Sequence, residues 1–353
     1  MRSYSDSMIR AHDRVVWEII GSSVPGPYHI NKGISNQDAI GWYQKDQGKL
    51  PLILSVADGL GDEMFSRSAK GALLAVEASL ETCTRHIRKM EWWTKKGLRN
   101  YLLKEIITCW KHKINEDLTS HPLSPDELHQ STKYVQHYFS KNQGTDENKI
   151  EEFIRSFPYS TTLITVIVTT GIIHILQVGD GDIIIVKQDG SVHEIFPRDL
   201  DCGRVVPLSY PDVAEASNVC KISVRREKPL IVYVSSDGYS AGYDSMKVRF
   251  DEIVAYEFHS KIQNFEISDI QSALPDLLTD ISQGSGDDTT LGIIVGDRDK
   301  IRETPLKLKT LMGIEEEIKS VVVEPEKERN PDSDLCTIDE SKERSRSVHE
   351  GLG

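Results

Sequence analysis

Short runs of Val, Ile and Leu alternate along this chain with longer stretches in which apolar residues return every three or four positions. The first kind reads as strands and the second as amphipathic helices. Strands are predicted over Val15–Ser22 and Ala39–Gln44, on either side of a loop holding Pro25, Gly26 and Pro27, and over the compact run Leu52–Ala57, which stops at Asp58. Beyond Glu63 the period changes. Phe65, Ala69, Ala72, Leu73, Val76, Leu80 and Cys83 keep one helical face, and Leu98, Leu102, Ile106, Trp110 and Ile114 keep a second. Two long helices in succession suit a layer covering one side of a sheet. From Thr119 to Glu152 the chain is polar and irregular and reads as a surface insertion over about 119–155, with a short helix expected where Ser124-Pro125-Asp126-Glu127 looks like an N-cap with Pro at the first helical position.

A β-rich block follows. Leu163–Val168, Ile172–Val178 and Ile183–Val186 are separated by short Gly-containing turns and read as an antiparallel meander. Further strands are predicted at Val219–Val224 and Leu230–Ser235. Helices follow near Val248–Tyr256 and Ile270–Ile281, the latter restarting near Pro275, before a closing strand Thr289–Val295. After about Arg298 come mixed-charge runs such as Glu324-Pro325-Glu326-Lys327-Glu328-Arg329, which bury too little to order themselves. The expected organisation is a flexible N-terminus over 1–14, one domain over 15–297, and a charged, disordered tail over 298–353. Within the tail, Leu306–Val323 is a candidate helix for docking a partner.

Composition narrows the function. The net charge of −13 on 353 residues, with no dominant basic block, argues against a nucleic-acid binder. The five cysteines, Cys83, Cys109, Cys202, Cys220 and Cys336, are scattered and lack C-x-x-C spacing. That excludes a disulfide framework or structural zinc site and favours a reducing compartment. Met1–Arg14 has no apolar core of a signal peptide, and no apolar run approaches membrane-spanning length, so a cytoplasmic protein without a membrane segment is expected.

The candidate chemistry lies in five acidic signatures, Asn36-Gln37-Asp38, Asp58-Gly59, Gly179-Asp180-Gly181-Asp182, Ser236-Asp237-Gly238 and Gly286-Asp287-Asp288. Each sits at or near the edge of an apolar run. Asp and Gly are poor strand formers, so each marks where a strand stops or starts. Gly allows a sharp turn and brings a backbone carbonyl close to whatever the carboxylate holds. Singly, each Asp is an ordinary turn residue. Gathered in one cleft, their repulsion must be relieved by raised pKa values or by cations, and oxygen-only ligands select hard ions, Mg²⁺ or Mn²⁺. Asp182 and Asp288 are expected in supporting roles, and Ser160, Thr161 and Thr162 in packing and hydrogen bonding. No G-x-S-x-G, H-E-x-x-H or G-x-x-x-x-G-K-[ST] motif offers another chemistry.

In order, Asn36-Gln37-Asp38, Val56-Ala57-Asp58-Gly59-Leu60-Gly61, Ser160-Thr161-Thr162, Val178-Gly179-Asp180-Gly181, Ser235-Ser236-Asp237-Gly238 and Gly286-Asp287-Asp288-Thr289-Thr290 resemble the metal-dependent type 2C Ser/Thr protein phosphatases, and look closest to their bacterial branch. The resemblance spans roughly Val15 to Gly296. It implies an α+β fold, a sandwich of two antiparallel β-sheets flanked by α-helices (α-β-β-α). It also implies removal of phosphate from Ser/Thr of phosphoproteins, such as a Ser/Thr kinase or its target, by a water bridging two metal ions. Carried over, Asp58 would bridge the ions, the Gly59 carbonyl would bind one, and Asp237 and Asp287 would complete the first ion's shell. Asp38 would support the site directly or through water, and Asp180 with Asp237 would hold a third, weaker ion. The metals implied are two or three Mg²⁺ or Mn²⁺. Two departures stand out. Leu60 replaces the His of animal relatives, and Gly33 stands where an Arg normally contacts substrate phosphate, leaving His29 and Lys32 as candidate phosphate ligands. These departures motivate the alternative of a catalytically weak pseudophosphatase that binds or scaffolds phosphoproteins. A third reading keeps the enzyme but acts on a small phosphate ester.

Overall fold

The computed structural model describes residues 16–46, 48–87, 94–140, 146–197, 205–243 and 250–308. The predicted N-terminal segment 1–14, Cys202, Cys336 and the tail beyond 308 lie outside the described residues. Ten strands form two five-stranded antiparallel sheets. The first holds β2 (Asp38–Gln44), β3 (Leu52–Asp58), β4 (Leu163–Val168), β5 (Ile172–Val178) and β8 (Asn218–Ser223), in that spatial order. The second runs β1 (Glu18–Val24), β10 (Thr289–Val295), β9 (Pro229–Ser235), β6 (Asp182–Lys187) and β7 (Val192–Glu194).

The strands read as nearly continuous apolar runs because both faces of each sheet are covered. Leu52, Leu54, Val56, Ile164, Val166, Ile173 and Ile175 face Ile183, Ile185, Val232, Val234 and Ile294 between the sheets. On the outer face of the first sheet, Ile53, Ala57, Leu163 and Ile167 pack against the Ser68–His86 and Leu103–Ser120 helices. On the outer face of the second, Ile184, Ile231, Tyr233 and Ile293 meet the Phe250–Asn264 and Ile267–Ser285 helices. The architecture is the expected α-β-β-α sandwich. Among the described residues no helix is long and apolar enough to cross a membrane.

Several expectations are corrected. The three-strand meander breaks at Gly179: β4 and β5 pair with each other, but β6 pairs with β7 and β9 in the other sheet. Gly179 has φ 100°, a left-handed conformation open to glycine, and the 179–181 link carries the chain between sheets. The polar stretch after Thr119 is not irregular. It holds helices Pro125–Ser140 and Glu147–Ser156, the first opened by a capping box in which Ser124 N donates to Glu127 Oε2 (2.8 Å) and Glu127 N donates to Ser124 Oγ (3.3 Å). Their apolar face, including Val135, Tyr138 and Phe153, packs with Phe157, Leu60, Met64 and Phe65. Aromatic rings carry this face, so its period is hidden from a count of Val, Ile and Leu. Pro275 does not restart its helix. It lies on the exposed side, where the freed carbonyl one turn back reaches water. Leu73 is 44% exposed; Leu74 and Ala75 face the core instead. The folded unit also runs past 297, since a helix Arg298–Glu303 buries Ile301.

Candidate metal centre

The topology places all five acidic signatures at one end of the sandwich. Asp38 opens β2 and Asp58 closes β3, and the two stand directly opposite each other in the antiparallel pair. Like charges so placed repel, their Cβ atoms lying about 5 Å apart in such pairs. In the other sheet, β9 ends and β10 begins at this same end, with Ser235 paired to Leu291, so Asp237 and Asp287 follow and precede neighbouring strands. Asp182 also pairs with Ser235, which sets the Gly179-Asp180-Gly181 link beside the segment leading to Asp237.

The backbone around Asp58 is fixed by its neighbours. Thr162 N and Thr161 Oγ1 both donate to the Asp58 carbonyl at 2.8 Å, and Asp58 N donates to Thr162 Oγ1 at 3.0 Å. Gly59 N donates to the Gln37 carbonyl at 3.0 Å, and a Cβ at Gly59 would meet that oxygen at 2.7 Å, so the turn requires glycine. Thr161 and Thr162 therefore hold the strand end, as expected from their position.

Asp38 is buried, and its Oδ2 accepts hydrogen bonds from Ser236 Oγ and Thr290 Oγ1, both at 2.7 Å. These hydroxyls come from the other sheet, so Asp38 ties the two sheets together at the site. Burial pushes its carboxyl up to about 7; the two hydroxyls oppose the rise, and the charges of Asp288 and Asp237 add to it. Burial likewise pushes Asp58 well above the usual carboxylate range, reinforced by the charges of Asp38 and Asp237, a carboxyl–carboxyl hydrogen bond to Asp237, and the charge of Asp287. Asp287, the most open of the set, is raised by its partial burial and by Asp237 and Asp288, while a hydrogen bond from Asp288 N and the His29 charge oppose the rise.

Asp38, Asp58, Asp237 and Asp287 thus feel one another's charge, and the fold brings these four predicted residues together. Asp180 lies at the same end, on the link between sheets. The two candidate phosphate ligands part company. Lys32 is exposed and stands over the Tyr28 ring at 4.2 Å. His29, on the short helix Pro27–Lys32, is buried with its Nδ1 2.8 Å from Asp288 Oδ2. Asp288 organises this loop, its Oδ1 accepting from Gly26 N (2.7 Å) and its Oδ2 from Gln37 N (2.5 Å). Sequence reasoning gave Asp288 a supporting role but missed the hydroxyls of Ser236 and Thr290. Their signal in the sequence was a hydroxyl residue within two positions of an acid, Ser236 before Asp237 and Thr290 after Asp288.

Carboxylates crowded in this way, with Asp38, Asp58 and Asp287 all raised, are stabilised in their anionic form by added positive charge. Its oxygen-rich donor set, with a glycine carbonyl beside Asp58, fits hard divalent cations such as Mg²⁺ and Mn²⁺.

A family model described as protein phosphatase 2C matches residues 25–278. Among curated proteins none matches the chain by sequence. Solved structures similar to it include the serine/threonine phosphatase Stp1 from Staphylococcus aureus, at 14% identity over 79% of this chain and 94% of that one, with TM-score 0.44. A second is an S. agalactiae serine/threonine phosphatase, at 16% identity over 79% and 99%, TM-score 0.46. A third is the catalytic domain of the serine threonine protein phosphatase PstP with two manganese ions, at 13% identity over 80% and 99%, TM-score 0.43.

Proposed function

Because the chain belongs to the protein phosphatase 2C family, metal-dependent protein-serine/threonine phosphatases acting on phosphoproteins, we propose that the acidic end of its sandwich is a site for hydrolysing phosphoserine and phosphothreonine with two divalent cations. The observation that supports this most directly is the facing of Asp38 and Asp58 across β2 and β3, with the charge of Asp237 bearing on Asp58 from the other sheet.

In this reading Asp58 would serve both ions and the Gly59 carbonyl one of them, Asp237 and Asp287 would complete the shell of the first, and Asp180 with Asp237 would offer a third, weaker position. Bound cations would supply charge neutralisation for the phosphoryl oxygens and would acidify the attacking water. The chain's own contribution is placement. Ser236 and Thr290 hold Asp38 through its Oδ2, and Thr161 and Thr162 lock the strand end that presents Asp58. On this reading the phosphoryl group would enter at the open side, by the exposed Asp287. The substrates on this reading are cytoplasmic phosphoproteins, a Ser/Thr kinase or that kinase's target among them.

The test is hydrolysis of a phosphothreonine peptide and of an aryl phosphate, with and without Mn²⁺. Mn²⁺-dependent turnover of the peptide is expected, with loss in Asp58→Asn and Asp237→Asn variants that keep the wild-type circular dichroism. Turnover without metal, or full activity in both variants, would refute the assignment. Phosphopeptide binding without turnover would instead favour a pseudophosphatase.

A further inference from the structure

The open side of the cluster carries a nitrogen donor. One ligand atom each from His29, Asp287 and Asp288 lies within 4.8 Å of the others. His29 is 4% exposed, and its Nδ1, although 2.8 Å from Asp288 Oδ2, makes no hydrogen bond, the approach being off the N–H direction. A buried polar nitrogen left this way is destabilising. Asp288 cannot readily turn to satisfy it, because both of its oxygens already accept backbone N–H groups from Gly26 and Gln37.

The ring is held in place by its helix. Pro27 occupies the first turn, Tyr28 N donates to the Gly286 carbonyl at 3.0 Å, and Ile34 N donates to the His29 carbonyl at 2.9 Å. The Tyr28 bond joins the helix directly to the loop that carries Asp287. The helix is thus tied to the acidic loop, and the imidazole Nδ1 lies among the carboxylates without a hydrogen bond of its own. Imidazole donors favour first-row transition ions over Mg²⁺, which prefers oxygen and retained water.

We propose that His29 and Asp287, braced by Asp288, form a nitrogen-bearing cation position at the open side of the acidic cluster, one that prefers Mn²⁺ and similar transition ions to Mg²⁺. It rests on the reading of the cluster as a divalent-metal site. It also replaces an oxygen-only ligand set with a mixed one, and gives His29 a metal rather than the substrate phosphate as its partner.

The test uses the whole chain, labelled with ¹⁵N-histidine or left at natural abundance, loaded with Mn²⁺ alone and studied by pulsed electron paramagnetic resonance. A nitrogen coupling on bound Mn²⁺ that changes with the ¹⁵N label is expected, and this readout needs no variant. Calorimetric titration of wild type and His29→Gln with Mn²⁺ and with Mg²⁺ complements it. The variant is expected to lose about tenfold or more in Mn²⁺ affinity, the range for removing a metal-site partner, with Mg²⁺ binding changed less than about threefold. Bound Mn²⁺ without a histidine coupling overturns the proposal and leaves the divalent-metal reading standing, as does equal loss of both ions in the variant. No divalent binding by wild type overturns both.

Discussion

Replacing Asp38 by Asn should stabilise the metal-free protein at neutral and alkaline pH. Asp38 is buried and its carboxyl is pushed up from 3.8 to about 7, chiefly by burial. For an acid whose folded pKa lies above its unfolded one, the unfolded chain gives up its proton first as pH rises. Below about 4 both states are protonated and no cost appears. Between about 4 and 7 only the unfolded state ionises, and stability falls by roughly 1.4 kcal/mol per pH unit. Above 7 the cost is constant. The shift of about three units sets a ceiling of ~4 kcal/mol, or roughly 8 °C in Tm for a domain of this size. Asn is nearly isosteric, and its Oδ1 can still accept from Ser236 and Thr290. The assay is thermal unfolding in EDTA from pH 5 to 8, read as the difference between wild type and Asp38→Asn. The difference cancels groups common to both, including His174 and His259, which burial holds low and whose effect on stability runs the other way. The variant should gain several degrees at pH 8 and little at pH 5. Saturating Mn²⁺ should stabilise wild type more at pH 8 than at pH 5. A difference that stays flat across this range, or that favours wild type at pH 8, refutes the picture of Asp38 as a repelled buried anion.

Three further outcomes follow from the packing. Gly238→Ala sets a Cβ 2.0 Å from the Asp288 carbonyl oxygen and should cost about 1–3 kcal/mol by urea unfolding and weaken Mn²⁺ binding, while Gly171→Ala, where no atom lies within 4 Å, should be neutral. The Arg67 guanidinium donates to both Glu127 oxygens (2.7 and 2.9 Å) and to the His121 and Pro122 carbonyls (2.6 and 3.0 Å), so Arg67→Met should lower stability by about 1–3 kcal/mol and open the 121–124 segment to limited proteolysis. Mn²⁺ affinity should hold in that variant, and a large fall would mean the helical insertion shapes the metal centre. Burial, aided by the Lys221 charge, holds His174 down at about 3, so the unfolded chain binds the extra proton and stability should fall as pH drops from 6.5 toward 3. Denaturant midpoints should show that acid loss flattened in His174→Gln, and an unchanged slope would contradict it.

Strand by strand, much of the sandwich was legible in the chain. Leu52–Asp58 and Thr289–Val295 are dense Val/Ile/Leu runs closed or opened by acids, and both became strands within a residue of the expected bounds. The same logic singled out Asp38, Asp58, Asp237 and Asp287, which the fold brings to one end of the sandwich, because an acid at a strand end breaks local propensity in a way a linear pattern displays. The insertion was misread for a local reason, since aromatic residues such as Tyr138 and Phe153 carry its buried face among polar neighbours.

Tertiary structure alone decided the rest. Whether β6 continues the sheet of β5 or crosses to β9 depends on pairing with residues some fifty positions away, and the 179–181 turn is compatible with either outcome. The partners of Asp38 Oδ2 are hydroxyls 198 and 252 positions along the chain. The inward turn of His29 depends on Asp288, at the other end of the domain. Local sequence fixes where backbone propensity changes. Which distant groups meet is set by burying both faces of two sheets at once, a condition no single segment carries.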